Sequence, residues 1–235
     1  MTTATPNEFA PGLAIQGFTA PLSLSQFKLI AFDMDSTLIS IECIDEIADA
    51  VGKKAEVAAI TEAAMRGEIT DFKDSLRRRV ALLKGVPAES LERVYLERLR
   101  LNPGAESLMN AARSAGLQTL LVSGGFTFFA DRVKARLGMH EAHANTLAIE
   151  GGLLTGEVLG DIVDGEAKKQ HLLALCQRLG CPGSAAIAVG DGANDLPMMG
   201  VAGLSVAYHA KPKVREQAMV SIQEGGLDRL LELIR

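Results

Sequence analysis

Leu29-Ile30-Ala31-Phe32 is a short apolar run that ends abruptly at Asp33, and Asp35 follows two residues later. Four apolar residues with no polar alternation predict a strand buried on both faces of a parallel sheet. On an extended segment, side chains at i and i+2 point to the same side. Two carboxylates held that close repel each other and need a cation, a shared proton or a raised pKa. A hard divalent ion such as Mg²⁺ fits, because it takes oxygen ligands and few of them from protein.

Three further stretches carry chemistry. Gly190-Asp191-Gly192-Ala193-Asn194-Asp195 combines two carboxylates with glycines where backbone must approach something closely. Ser123-Gly124-Gly125 follows an apolar run and precedes a helical pattern, so it offers a hydroxyl and exposed N–H groups suited to phosphate. Lys168 lies near the start of a helical pattern. Singly, each reads as readily as a turn, a strand-to-helix loop or a solvated lysine. Together, acid pair, hydroxyl loop, lysine and acid loop fall where an open α/β sheet gathers ligands, outside the carboxyl ends of its strands.

The intervening pattern supplies such a sheet. Helical periodicity predicts helices over 105–115, from about 126 to 137, over 166–179 and near 227–231. Strands are predicted at 29–32, 118–122, 185–189, near 204–207 and near 220–222, with a hairpin over 147–149 and 153–155. Alternating strands and helices imply a Rossmann-like parallel sheet with helices on both faces. Between 44 and 99 the texture differs. Helices are predicted over 44–51, 55–65, from Thr70 as cap to Gly85, and over 90–99, with no convincing strand. Residues 1–27 read as a loosely ordered lead-in with one short strand.

This set, in this order, resembles the haloacid dehalogenase-like superfamily of phosphohydrolases. The resemblance implies a core of residues 28–43 and 100–235, with a helical cap, 44–99, inserted after the first core strand. It further implies Asp33 as a nucleophile that becomes phosphorylated and Asp35 as general acid and then base. Ser123, Gly124 and Lys168 would bind the phosphoryl group. Mg²⁺ would be held by Asp33, the Asp35 backbone carbonyl and Asp191, with Asp195 in its outer shell. Asp33-Met34-Asp35-Ser36-Thr37, Glu42, Ser75 to Val80, Val122 to Phe126 and Gly190 to Asp195 are similar to the phosphoserine phosphatase family in particular. That likeness assigns Glu42 to a substrate ammonium and Arg79 to a substrate carboxylate, with Met65 and Phe72 as apolar cap residues and Asn194 as a further contact. The implied reaction is hydrolysis of O-phospho-L-serine, the last step of serine biosynthesis. Another small amino-acid or amino-alcohol phosphate, or phosphotransfer, would use the same core. Arg77, Arg78 and Arg79 are spaced about 100° apart on a helix, so they cannot all face one crevice.

Composition narrows the rest. Aromatic residues make up 4% and Trp is absent, which disfavours a stacking platform for single-stranded nucleic acid. A net charge of −5 removes a chain-wide basic footprint. No apolar run approaches membrane-spanning length, which argues against an ion pump carrying the same G-D-G-x-N-D loop. Cys43, Cys176 and Cys181 form no C-x-x-C motif and read as free thiols of a reducing cytoplasm. His140-x-x-His143 and His209 lack the further ligands of a transition-metal site. A catalytically dead binding module would not need the complete set of acids with Lys168. The expected partner is therefore a small phosphate monoester, with neither nucleic acid nor membrane, and the chain is expected as monomer or homodimer.

Overall fold

The computed structural model describes residues 7–65 and 68–235, the side chains of 64 and 65 excepted. In chain order the strands are β1 (Asn7–Ala10), β2 (Leu13–Ile15), β3 (Leu29–Phe32), β4 (Gln118–Phe126), β5 (Glu141–Glu150), β6 (Leu153–Leu159), β7 (Ala186–Gly190), β8 (Leu204–Tyr208) and β9 (Val220–Ile222). They form one sheet in the order β1-β2-β9-β8-β7-β3-β4-β5-β6. The inner run from β9 to β5 is parallel, and antiparallel pairs close both ends. The core is Rossmann-like, with β3 at its centre.

Both faces of β3 are buried, as its unbroken apolar run predicts. Ile30 and Phe32 enter one apolar cluster, while Leu29 and Ala31 enter the other. β7 repeats the division, with Ile187 and Val189 on the first face and Ala186 and Ala188 on the second. The helices are α1 (Cys43–Ala50), α2 (Lys54–Met65), α3 (Phe72–Ala81), α4 (Glu89–Glu97), α5 (Ala105–Ser114), α6 (Thr127–Leu137), α7 (Gly165–Arg178), α8 (Leu196–Met199) and α9 (Pro212–Arg215). Helix α7 packs with α8 across one face of the sheet, and α5 and α6 cover the other.

Four details differ from the sequence reading. The expected loose lead-in contains a hairpin, β1–β2, and β2 pairs antiparallel with β9 through Leu13↔Ile222. β9 would otherwise be an open edge with unpaired backbone groups. Three residues are too few to display alternation, though Leu13 and Ile15 are both buried. β4 runs on through Ser123 to Phe126, where a loop was expected, with its register to β5 slipping between Val122 and Phe126. Helix α3 is capped by Asp71, whose side chain accepts the Lys73 N–H, and not by Thr70. The last expected helix is a 3₁₀ turn, Leu227–Glu232.

Helices α1 to α4 leave and rejoin the sheet through a narrow neck. Ile39 and Leu101 form an antiparallel bridge, and the Ser40 N–H donates to the Arg100 carbonyl at 3.0 Å. Asn102 locks it: its backbone N–H donates to Leu38 O at 2.9 Å. Its Nδ2 donates to Thr37 O at 2.8 Å and Ile39 O at 3.1 Å. Asn102→Ala leaves carbonyls of the buried Thr37 and Ile39 without that donor, at a cost of about 1–3 kcal/mol in unfolding free energy. Urea titration measures it; unchanged stability would mean that backbone bonds alone hold the neck.

Candidate active site

The end of β3 is fixed from the backbone outward. The Asp33 N–H donates to Val189 O at 3.0 Å, joining the last residue of the run to β7. The chain then makes a wide turn over Met34–Leu38, closed by the Ile39 N–H on Met34 O at 3.0 Å. Ser36 sits at φ +56°, a left-handed conformation that a non-glycine residue adopts at some cost. Its hydroxyl donates to Glu42 Oε1 at 2.6 Å. The acid pair is therefore not a simple continuation of the strand, yet Asp33 and Asp35 both line one cavity of about 480 Å³.

Beneath that cavity lies Lys168, in the first turn of α7 and fully buried. Its Nζ is 2.8 Å from Asp33 Oδ1 and 2.7 Å from Asp195 Oδ1. Burial opposes its charge, but Asp195 and Asp33 outweigh that and raise its pKa. The other oxygen of Asp195 accepts the N–H groups of Asp191 at 3.1 Å and Gly192 at 3.0 Å. This wraps the loop after β7 around one carboxylate. A Cβ on Gly190 would lie 2.4 Å from Asp195 Cγ, so only glycine permits the wrap. Helix α7 is capped by Asp164, whose side chain accepts the Ala167 N–H at 2.9 Å.

Burial and crowding set the protonation of the acids. Asp33 is pushed well above the usual carboxylate range by burial and by Asp195, with Lys168 pulling the other way. Asp191 rises to about 7 through burial and the charges of Asp195 and Glu42. Its Oδ1 accepts the Thr37 hydroxyl at 3.2 Å. Asp35 also rises to about 7, through burial and the neighbouring Glu42, against a weak bond from the Cys43 N–H at 3.4 Å. Asp33, Asp191 and Asp195 each offer an oxygen within 4.8 Å of the others, the one such acidic or His/Cys cluster among the described residues. One lysine does not neutralise three ionised carboxylates, and the residual charge would suit an added cation. The donor set, all oxygen, fits a hard metal ion.

The opposite wall comes from β4. Ser123 is buried, and its Oγ accepts the Gly125 N–H at 2.8 Å. A Cβ on Gly125 would fall 2.6 Å from Asp35 Oδ2, and one on Gly124 would fall 2.8 Å from the Phe72 ring. The helical insertion closes the cavity from above with Glu42, Phe72 and Arg79. Arg77 and Arg78 are exposed, whereas Arg79 is half-buried and faces the cavity. Burial lowers its pKa while Asp45, Glu42 and Asp35 raise it. Asn194 also lines the cavity. Lys168 and Asp195 have no surface on it, and the Met65 side chain lies outside the described residues. The three histidines flagged in the sequence stay apart: His140 bonds Thr119, His143 stacks on His171, and His209 bonds Gly225 O.

Four residues escaped the sequence reading. Thr37 touches Asp191. Asn145, fully buried, donates to Gly124 O at 2.8 Å and accepts the Val163 N–H at 2.8 Å, so it positions the Ser123-Gly124 wall. Asp45 and Lys211 line the cavity. Thr37 belongs to the Asp33–Thr37 motif itself. Nothing local marks Asn145, because its partners come from other elements.

A parallel sheet with an acid at the end of its central strand, a buried lysine beneath it and an acid loop on the adjacent strand defines a phosphohydrolase-type core. The family model for haloacid dehalogenase-like hydrolases matches residues 27–203. The chain belongs to the phosphoserine phosphatase family of these hydrolases. It is 65% identical to the phosphoserine phosphatase of Polaromonas sp. (strain JS666 / ATCC BAA-500), over 98% of this chain and 99% of that one. A solved phospho-aspartyl intermediate analogue of phosphoserine phosphatase matches with a TM-score of 0.83 and 40% identity, covering 89% of this chain and 99% of the other. A substrate-bound phosphoserine phosphatase complex matches with the same score, identity and coverage. Among the described residues no helix is long and apolar enough to cross a membrane.

Lys168→Met removes the cation that pairs with the two buried carboxylates of Asp33 and Asp195. Stripping one partner from such a cluster costs about 3–5 kcal/mol. Denaturant unfolding of the variant is expected to show that loss, with outright failure to fold as its limit. A loss below about 1 kcal/mol, the range of an exposed ion pair, would contradict the arrangement.

Proposed function

We propose that the chain hydrolyses O-phospho-L-serine to L-serine and phosphate through an aspartyl-phosphate on Asp33. The observation that supports this most is one cavity lined both by the acids Asp33, Asp35 and Asp191 and by the opposed charges of Glu42 and Arg79. Such a cavity accepts a phosphate monoester whose far end is a zwitterion. On this reading residues 44–99 act as a cap over a core of 28–43 and 100–235, extended by the β1–β2 hairpin.

Phosphate monoester hydrolysis is very slow unaided, so positioning and charge stabilisation must supply most of the acceleration. In the first half-reaction an Asp33 oxygen attacks phosphorus in line and the bond to the serine oxygen breaks. Lys168 holds Asp33 Oδ1, leaving the other oxygen to attack. Asp35 gives its proton to the departing serine oxygen, a role suited to a carboxyl raised to about 7. The Ser123 hydroxyl and Gly124 N–H steady phosphoryl oxygens, and Asn194 adds a further contact. In the second half-reaction Asp35, now ionised, takes a proton from the water that attacks the phosphorus, and Asp33 is released. Mg²⁺ would be held by Asp33, Asp191 and the Asp35 carbonyl, and when bound it neutralises nucleophile and phosphoryl oxygens. Asp195 fits the outer shell, since Lys168 and two N–H groups already occupy its oxygens. Phe72, which lines the cavity, would border the substrate's aliphatic part.

Phosphate release from a panel of small phosphate esters tests the assignment. Phosphoserine should lead, activity should vanish in excess EDTA, and Mg²⁺ should restore it while Ca²⁺ does so poorly. Equal turnover of phosphoserine and phosphoethanolamine would overturn the substrate while leaving the phosphatase.

Arg79→Ala isolates the recognition of the carboxylate. Charge-assisted bonds sheltered from water contribute about 1.5–3 kcal/mol each, so kcat/KM for phosphoserine should fall at least about tenfold. p-Nitrophenyl phosphate, which has no carboxylate, should be nearly unaffected, as should both substrates in Arg78→Ala. Lys at this position should rescue only part, for lack of a planar fork. Equal losses for both substrates in Arg79→Ala would make Arg79 structural.

A further inference from the structure

Helix α7 ends in a cap that sets two cysteines against each other. Gly180 adopts φ +65°, reversing the chain after Leu179. The Cys181 N–H donates to the Cys176 carbonyl at 3.0 Å, and the Gly180 N–H donates to the Gln177 carbonyl at 3.1 Å. These two bonds form a Schellman motif, in which the third residue from the helix end and the second residue beyond the cap bring their side chains together. Two apolar side chains commonly fill that contact. Here both are thiols. Cys176 is buried, and Cys181 is half-buried against the same apolar cluster. Burial and the adjoining Cys181 push the Cys176 thiol up to about 11. The third cysteine, Cys43, is buried near Asp35, on another element. The pair lies a little over two helical turns beyond Lys168, so it is separate from the acid cluster.

We propose that Cys176 and Cys181 form a reversible redox site that closes to an intramolecular disulfide on meeting a small disulfide of the oxidised-glutathione type. Burial sets the order of events. Cys181 is the less buried of the two, so its thiolate attacks one sulfur of the small disulfide. That S–S bond breaks, one small thiolate leaves, and a mixed disulfide forms on Cys181. The Cys176 thiol then loses its proton to solvent and attacks the Cys181 sulfur, expelling the second small thiolate. Two electrons pass from the thiol pair to the small disulfide, which is released as two thiols. The pre-formed cap holds the second thiol beside the first, so the mixed disulfide is short-lived. Excess small thiol runs both steps backwards.

The test uses the full chain in its native state. It is incubated with oxidised glutathione at neutral pH and quenched in acid, its remaining thiols are alkylated, and its peptides are mapped by mass spectrometry. The expected wild-type product is a 176–181 disulfide that has lost two hydrogens, with Cys43 still alkylated and with full reversal by reduced glutathione. Cys176→Ala should instead accumulate a stable glutathione adduct on Cys181, and Cys181→Ser should leave Cys176 unmodified. Two intact thiols in the wild type, or a lasting glutathione adduct on Cys181 beside an intact Cys176, would overturn the proposal without touching the phosphatase assignment. The wild-type result decides even where a variant fails to fold.

Discussion

The ammonium of Lys168, locked between Asp33 Oδ1 and Asp195 Oδ1, is the interaction on which the rest of the site depends. A buried cation is tolerable only with its partners in place, and the same holds for each carboxylate. The three charges therefore demand that three elements arrive together: the end of β3, the loop after β7 and the first turn of α7. Once Asp195 is held, its second oxygen gathers the N–H groups of Asp191 and Gly192. That aims Asp191 at the cavity, where the Thr37 hydroxyl steadies it. Gly190 and Gly165 follow from the same constraint, because a Cβ on either would strike Asp195 or the Asn194 carbonyl. The net negative charge left over is what a hard cation would meet.

The upper half of the cavity obeys a different logic. It is tied to the core through the Asn102 neck, an ion pair at 3.2 Å between Lys73 and Asp164, and the close approach of Phe72 to Gly124. The Asp71 cap fixes where α3 begins, and the helix's buried face sets its rotation. With Ser75, Leu76 and Val80 buried, Arg79 turns towards the cavity while Arg77 and Arg78 turn to solvent. On the proposed function, Arg79 would select the substrate from α3, an element separate from β3, β4 and the loop after β7, which would carry the phosphoryl chemistry.

Much of this was legible in the sequence because the physics is local there. An apolar run ending in Asp33 specifies a buried strand with an acid at its mouth, and the 100° spacing of Arg77 to Arg79 specifies that they diverge. The order of acid pair, serine loop, lysine and acid loop carried the family resemblance. What stayed hidden was non-local. The β1–β2 hairpin exists to cover β9, a partner some 200 residues away, and three residues of β2 are too few to show a period. Asn145 reaches Gly124, and Asn102 reaches Thr37 and Ile39, through tertiary contacts that no spacing rule encodes. Lys168 was legible as a charged group of the site. Its place beneath the floor, between two acids and off the cavity surface, was not.

The central claim is that this buried triad prepares Asp33 to take the phosphoryl group. Rapid acid quench of the enzyme turning over ³²P-labelled phosphoserine with Mg²⁺, in an Asp35→Asn background that slows the second half-reaction, tests it most directly. The account predicts an acid-stable, hydroxylamine-labile label on the peptide carrying Asp33, and its absence from Asp33→Asn. Label on another residue, or turnover in the parent enzyme with no label trapped at any quench time, would contradict it.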